Sequence, residues 1–216
     1  MPNNRTLETA VKPSIVRLPR HVGFIPDGNR RWAQARGLSK EEGYAAGIAP
    51  GIALFELCKS LSIAEVSVYG FTQDNTRRPA EQTVKFTAAC VDFAQSIAAQ
   101  GASLLVVGDD RSPAFPQELK SFRERQGSGM KVNFLVHYGW QWDLHGLVSG
   151  ELRSADVSRI ELIVRWGGAR RLSGFLPVQS VYADIFVVDE YWPDFHPAHF
   201  EHALEWFARQ DRTLGG

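Results

Sequence analysis

Six short runs rich in Val, Ile, Leu and Phe punctuate this chain, at 21–26, 63–71, 103–107, 132–138, 160–166 and 185–188, and most are apolar without polar alternation. A strand with one wet face alternates, whereas a continuous apolar run needs cover on both faces, as central strands of a parallel sheet have. Parallel neighbours require crossover connections long enough for a helix. The intervening segments supply them. Residues 30–36 and 39–60 have helical patterning, with Ser39 placed to cap the longer stretch, Glu41 and Glu42 in its first turn, and Pro50-Gly51 predicting a kink or break midway. Across 80–100, Val84, Phe86, Ala89, Cys90, Phe93 and Ile97 recur at helical spacing and the pattern stops at Gly101. The expected fold class is therefore α/β, with an open, mostly parallel six-stranded sheet flanked on both faces by helices. A length of 216 residues suits one substantial core, so 21–216 is expected to be a single domain. Residues 1–20 are polar, carry Pro2 and Pro13, lack the apolar centre of a signal peptide, and read as a loose, flexible arm.

Charge removes several function classes. Lys and Arg total 24 against 24 Asp and Glu, which argues against the broad basic field of a nucleic-acid or anionic-membrane binder. No apolar run approaches the ~20 residues of a membrane span, so integral membrane association is not expected. Cys58 and Cys90 lie in apolar stretches without metal-type spacing, which argues against a disulfide scaffold or a zinc site and fits a reducing cytoplasm. Within the basic set, 18 are Arg and 6 are Lys, and three adjacent pairs stand out: Arg30-Arg31, Arg77-Arg78 and Arg170-Arg171. Arginine's rigid fork grips phosphate or carboxylate oxygens in bidentate fashion.

In open α/β sheets, ligands bind beyond the carboxyl ends of the strands. The first run ends in Pro26-Asp27-Gly28-Asn29-Arg30-Arg31-Trp32, where Gly28 allows close backbone approach and two guanidinium groups stand beside it. This suits a phosphate-like anion, and Asp27 suits it too if Mg²⁺ bridges carboxylate and phosphate. The bland alternative is that Asp27-Gly28 makes a turn and caps the helix while the arginines are solvated. The second run ends in Phe71-Thr72-Gln73-Asp74-Asn75-Thr76-Arg77-Arg78-Pro79, an ordinary polar loop when taken alone. The fifth delivers Arg165-Trp166-Gly167-Gly168-Ala169-Arg170-Arg171-Leu172-Ser173-Gly174-Phe175. Two Arg clusters at one sheet edge suit two anionic groups or one long one. Asp184, at the start of the last run, could add another metal carboxylate.

Together these loops resemble the cis-prenyltransferases, the undecaprenyl diphosphate synthase family. Its first signature, approximately His-x-x-x-Ile-Met-Asp-Gly-Asn-x-Arg-Trp-Ala, is matched by the segment from His21 to Ala33. The second, Phe-Ser-x-Glu-Asn-Trp-x-Arg-Pro, is similar to the segment from Phe71 to Pro79, and the third, Arg-Thr-x-Gly-Glu-x-Arg-Leu-Ser-Asn-Phe, to that from Arg165 to Phe175. Asn133, Tyr138-Gly139, Tyr182-Ala183-Asp184 and Trp192-Pro193-Asp194-Phe195 follow in the family's order. The resemblance implies a Mg²⁺-dependent homodimer that joins isoprenoid diphosphates. By the same resemblance, Asp27 holds Mg²⁺, while Gly28, Asn29, Arg30, Arg31 and Arg78 bind the allylic diphosphate, with Trp32 in the same motif and Lys40 where the family usually has Arg. Arg165, Arg171 and Ser173 bind the other diphosphate, and Asp184 stands where the family carries a metal-binding Glu. Thr72, Asn75, Tyr44 and the released diphosphate are the candidates for accepting the final proton.

Departures from the family pattern point further. Tyr44 replaces a His, Thr76 a Trp, Ala169 a Glu and Gly174 an Asn, Asp184 is one methylene short, and the segment between Asp143 and Arg165 is shorter than usual. These changes touch the acceptor side more than the Asp27 loop. With Glu42-Gly43-Tyr44-Ala45-Ala46, they resemble the small bacterial branch of cyclolavandulyl and isosesquilavandulyl diphosphate synthases. The resemblance implies irregular head-to-middle coupling, with dimethylallyl diphosphate as acceptor and a branched C10 or C15 diphosphate as product. Regular short-chain elongation with isopentenyl diphosphate and a non-catalytic lipid-diphosphate-binding subunit are the alternatives. Phe86 and Phe93 are placed either to fill a product tunnel or to pack a core. His196, His199 and His202 drift around a helix and are not expected to share a metal, His137 and His145 have no visible acid partner, and Trp140 and Trp142 read as core or pocket wall.

Overall fold

The computed structural model describes residues 17–211. Its strands are β1 (His21–Ile25), β2 (Glu65–Tyr69), β3 (Ser103–Val107), β4 (Lys131–Leu135), β5 (Leu162–Arg165) and β6 (Asp184–Val187). Its helices are α1 (Asn29–Ala35), α2 (Glu42–Ala46), α3 (Ile48–Ser60), α4 (Ala80–Ala99), α5 (Trp140–His145) and α6 (Pro197–Ala208). The six strands form one sheet in the order β3-β4-β2-β1-β5-β6, and every pairing is parallel. Phe24 pairs with Val68, and Ile25 with Arg165, so β1, β2 and β5 finish together at the middle of one sheet edge.

Side chains leave each strand on alternate faces. Val22, Phe24, Leu104, Val106, Phe134, Leu162 and Val164 meet Leu54, Phe55, Phe93, Ile97, Phe200 and Leu204 from α3, α4 and α6. On the other face, Ile25, Leu105, Val107, Leu135 and Ile163 meet Tyr138, Val157, Ile160, Phe175 and Leu176. That second cover is not the helical layer expected. Among the described residues it is the short α5 and largely irregular chain between β5's flanks, reaching to β6. Gly23 shows how close it packs, since a Cβ there would lie 2.5 Å from the Phe175 ring.

The long helix predicted over 39–60 is two helices that break at Gly47, whose carbonyl accepts the Trp192 indole N–H at 3.0 Å. Pro50 falls in the first turn of α3, where its missing N–H costs nothing. Ser39 does not cap: its own N–H donates to the Glu42 carboxylate. Of the proposed arm, residues 1–16 lie outside the described residues. Arg17 lies over the Phe207 ring at 4.3 Å and donates to the Gln210 carbonyl.

The amino ends of the central strands hold a buried polar network. His21 Nε2 meets Ser67 Oγ at 2.9 Å, Asn133 donates to Glu65 at 2.6 Å, and Ser158 Oγ donates to Glu65 at 2.8 Å. Burial pushes the His21 pKa below its ordinary 6.5. Burial works to raise Glu65, but His21, Asn133 and Ser158 outweigh it and leave its pKa lowered. Both shifts mean that the unfolded chain binds more protons than the folded one between the folded and ordinary values. Stability is therefore expected to fall as pH drops below 6.5 and further below Glu65's ordinary 4.5. Urea midpoints across pH 4–8 (roughly the range in which His and Glu titrate) read this, and a midpoint that rises on acidification contradicts it. On the opposite face, Gly23→Ala is expected to cost about 1–3 kcal/mol through the clash with Phe175, and an unchanged midpoint contradicts that packing.

Candidate active site

The chain after β1 turns sharply, Asp27 N–H donating to the Ile25 carbonyl at 2.9 Å, and passes through Gly28 at φ +106 before α1. A Cβ on Gly28 would lie 2.7 Å from Tyr191 Cδ1, so both conformation and space demand glycine. Arg165 closes β5 beside it and is 3% exposed in its residue surface. One guanidinium nitrogen donates to Asp27 Oδ2 at 2.8 Å; the other donates to Ser173 Oγ at 2.9 Å and to the Arg171 carbonyl. Its Nε is buried without an acceptor. Arg31 approaches Asp27 Oδ1 at 3.4 Å and donates to the Gly167 carbonyl at 2.9 Å. Asp27 thus stands between two guanidinium groups.

From β2, Tyr69 donates its hydroxyl to the Ser173 carbonyl at 2.9 Å. Beyond it, Thr72 N–H donates to Asn75 Oδ1 at 3.1 Å, fixing a short turn that leads to Arg78. Arg78 donates to the Tyr44 hydroxyl at 3.1 Å and lies over the Phe86 ring, on which Tyr44 stacks with centroids 4.5 Å apart. Burial is the largest influence on Arg78 and lowers its pKa, Arg30 acts in the same direction, and Tyr44 acts against them.

These groups line a cavity of about 290 Å³ whose walls carry Arg30, Arg31, Arg78 and Arg165 against the single carboxylate of Asp27. Such a surplus of positive charge in a concave site draws anions. Tyr44, Tyr69, Gly70, Phe86, Asn29 and Pro26 also line a smaller apolar extension of about 60 Å³, bounded by Gly51, Phe93, Phe134 and Trp192. Past Phe93 lies only a void of about 20 Å³. The arrangement is a cationic mouth over a short apolar pocket.

Asp27, Gly28, Asn29, Arg30, Arg31, Tyr44, Thr72, Asn75, Arg78, Arg165 and Ser173 converge on the mouth as the sequence suggests. Four others do not line it. Trp32 donates to Asp194, which also pairs with Arg36, tying α1 to the chain before α6. Lys40 sits in the turn before α2, and the Arg171 side chain is exposed, offering Arg165 only its carbonyl. Asp184 begins β6, in register with Leu162, at the amino edge of the sheet, and lines a different cavity with Arg17, Arg20 and Glu161. Asp184 and Asp27 of one chain therefore cannot share an ion, since β5 and β6 run parallel between them. The unassigned Arg77 and Arg170 make surface pairs with Asp74 and Asp189, each at 3.8 Å. His196 and His199 close the start of α6 instead of converging on a metal. Tyr69 and Gly70 escaped the sequence reading, although their place at a strand's carboxyl end was the available signal.

No cluster of three or more His, Cys, Asp or Glu side chains among the described residues would hold a metal by itself. Magnesium does not need one: it takes one or two carboxylates and completes its shell with substrate phosphates and water. Asp27 fits, with a side chain 36% exposed at the mouth and open to substrate phosphates.

A cationic cavity at the carboxyl edge of an all-parallel sheet is the setting of an enzyme that handles phosphorylated substrates. Comparison with known proteins gives the class: the undecaprenyl diphosphate synthase family model matches residues 25–150 and 145–215. The chain is 30% identical to the farnesyl-diphosphate-specific ditrans,polycis-undecaprenyl-diphosphate synthase of Yersinia pseudotuberculosis, over 93% of this chain and 91% of the relative. It is 31% identical to the Pseudomonas putida enzyme of the same description, over 92% and 91%. It is 30% identical to the geranylgeranyl-diphosphate-specific tritrans,polycis enzyme of Aeropyrum pernix, over 91% and 98%. In fold it is similar to lavandulyl diphosphate synthase from Lavandula x intermedia, solved with dimethylallyl diphosphate, at a TM-score of 0.77 and 22% identity, over 92% of this chain and 98% of that one. The chain belongs to the cis-prenyltransferase family of undecaprenyl diphosphate synthases and is a prenyltransferase. No helix among the described residues is long and apolar enough to cross a membrane.

Proposed function

We propose that this prenyltransferase couples short allylic diphosphates irregularly, head to middle, with dimethylallyl diphosphate as acceptor and dimethylallyl or geranyl diphosphate as donor. The observation that carries the reading is the depth of the apolar pocket. Phe86 and Phe93 close it within about 60 Å³, and a Cβ on Gly51 opposite would stand 2.8 Å from the Phe93 ring. A long polyprenyl chain has no room there. The departure at Gly174 adjoins Ser173, whereas Asp27, Asn29, Arg31 and Arg78 are kept, which supports an altered acceptor half; Tyr44 instead meets the donor arginine Arg78 through its hydroxyl.

In this reading Arg30, Arg31 and Arg78 bind the donor diphosphate, and Arg165 with Ser173 binds the acceptor diphosphate. Asp27 would hold Mg²⁺, which supplies charge neutralisation for the departing diphosphate. The C1–O bond of the donor breaks, the acceptor double bond attacks C1, and a proton leaves the resulting cation. Apolar walls at Phe86 and Val68 keep water from the cation. Asn75 Oδ1 is already engaged by Thr72, and Asp27 is the only carboxylate on the cavity wall. With the Tyr44 hydroxyl accepting from Arg78 as well, the departing diphosphate is the strongest base at hand, ahead of the Thr72 hydroxyl. Val181, Tyr182 and Ile185 are exposed beside the edge strand β6, which supports a homodimer, read by sedimentation as twice the chain mass. The buried, unbridged Cys58 and Cys90 support a reducing, cytoplasmic setting.

Incubation with dimethylallyl diphosphate alone, or with geranyl diphosphate added, is expected to yield branched product without isopentenyl diphosphate. Product that appears only with isopentenyl diphosphate sinks the irregular reading in favour of regular elongation, the activity named for the relatives. Asp27→Asn is expected to lower turnover about a hundredfold or more while the fold persists by circular dichroism. Undiminished turnover removes Asp27 from the chemistry.

A further inference from the structure

Ser173 and Gly174 form a turn that the backbone resists. Ser173 has φ +52 and Gly174 φ +79, and a serine keeps a left-handed conformation only where its surroundings hold it there. Two contacts fix Ser173 from inside: Arg165 donates to its Oγ and Tyr69 donates to its carbonyl, each at 2.9 Å. Burial raises the Tyr69 pKa, with Asp74 adding to it, so the phenol stays a donor.

A third contact comes from outside. The indole of Trp140 lies so close to Gly174 that a Cβ there would stand 2.7 Å from Trp140 Cδ1 and 3.6 Å from the Tyr69 hydroxyl. Trp140 is 42% exposed, so burying its own surface does not explain its place. That place is set by Asp143, three residues along α5, which is buried and accepts from the Tyr138 hydroxyl, the Ser154 N–H and the Ser154 hydroxyl at 2.7, 2.9 and 2.7 Å. Asp143 fastens α5, α5 presents Trp140, and the glycine at 174 admits the ring.

We propose that Tyr69 and Trp140 are positioning residues for the second diphosphate site, holding the Ser173-Gly174 turn left-handed so that Ser173 Oγ and the Arg165 guanidinium stand ready as one anion cradle. This rests on the reading that Arg165 and Ser173 take the acceptor diphosphate. A turn free to relax would carry Ser173 Oγ away from the guanidinium, and the acceptor's diphosphate would then have to reorder it on binding. The donor arginines lie on other loops, and of them Arg31 reaches this one at the Gly167 carbonyl, six residues before Ser173.

Calorimetric titration with inorganic pyrophosphate and magnesium tests this. The wild-type chain is expected to show two binding events. Tyr69→Phe and Trp140→Ala are each expected to weaken one event about three- to tenfold, the scale of one hydrogen bond or clamp contact, and to leave the other unchanged; Trp140→Phe should restore most of the loss. Gly174→Ala should weaken the same event in the wild-type background, and by less beside Trp140→Ala, where the clash is gone and only the strain of a left-handed alanine remains. Wild-type affinities in Tyr69→Phe and Trp140→Ala, or additive effects of the Trp140 and Gly174 changes, overturn the proposal. A single wild-type event, or two events that survive both Arg165→Gln and Ser173→Ala, overturns instead the two-site reading beneath it, and Ser173→Ala decides the matter even if the Arg165 variant does not fold.

Discussion

A guanidinium sealed at the end of β5 constrains everything around it. A buried guanidinium charge left unanswered costs several kcal/mol. The answer comes from three places: the Asp27 carboxylate after β1, and the Ser173 hydroxyl and Arg171 carbonyl after β5. The parallel register makes this possible, since Ile25 pairs with Arg165 and leaves Asp27 two residues further on, within reach of the fork. The buried Nε without an acceptor leaves the fork under-satisfied.

The sheet separates two kinds of polar chemistry by its direction. At the amino edge, His21, Ser67, Glu65, Asn133 and Ser158 satisfy one another, and Arg125 donates to Asn133 at 2.6 Å. A closed network of this kind specifies strand register and offers a ligand little. At the carboxyl edge, cations outnumber the one carboxylate on the cavity wall, and two buried groups there, Asn29 Oδ1 and Arg165 Nε, have no partner. The site lies where the polar groups remain unsatisfied.

How far the sequence alone reveals this follows from which physical signals are local. Continuous apolar runs identify strands because a parallel sheet buries both faces, and all six were legible within a few residues. Gly28 and the Arg clusters were legible because strand-end loops carry ligands. The second face was not: its cover is irregular chain held by Asp143, Ser154 and Gln179, whose hydrogen bonds span 11 to 25 residues and leave no periodicity. Asp184 reads as a metal carboxylate by the family resemblance, although the first residue of a strand in a parallel sheet falls at the amino edge, where the register with Leu162 puts it. Helix break and proline also separated, since Gly47 yields to Trp192, 145 residues away, while Pro50 sits harmlessly in a first turn.

Tyr44 joins the two halves of the cavity. Its hydroxyl accepts from Arg78 in the cationic mouth, while its ring lies flat on Phe86 with an interplanar angle of 7° and forms part of the apolar wall. Position 44 therefore lies where the cationic mouth meets the apolar extension. An imidazole there could carry a proton and so a positive charge, and its smaller ring would leave part of the Phe86 face bare. The Tyr44–Phe86 stack instead lines both the cationic mouth and the apolar extension. It also shortens the apolar pocket from the side, just as Phe93 shortens it from the end. The cationic mouth and the apolar extension therefore share lining residues, and a change at position 44 would alter both together.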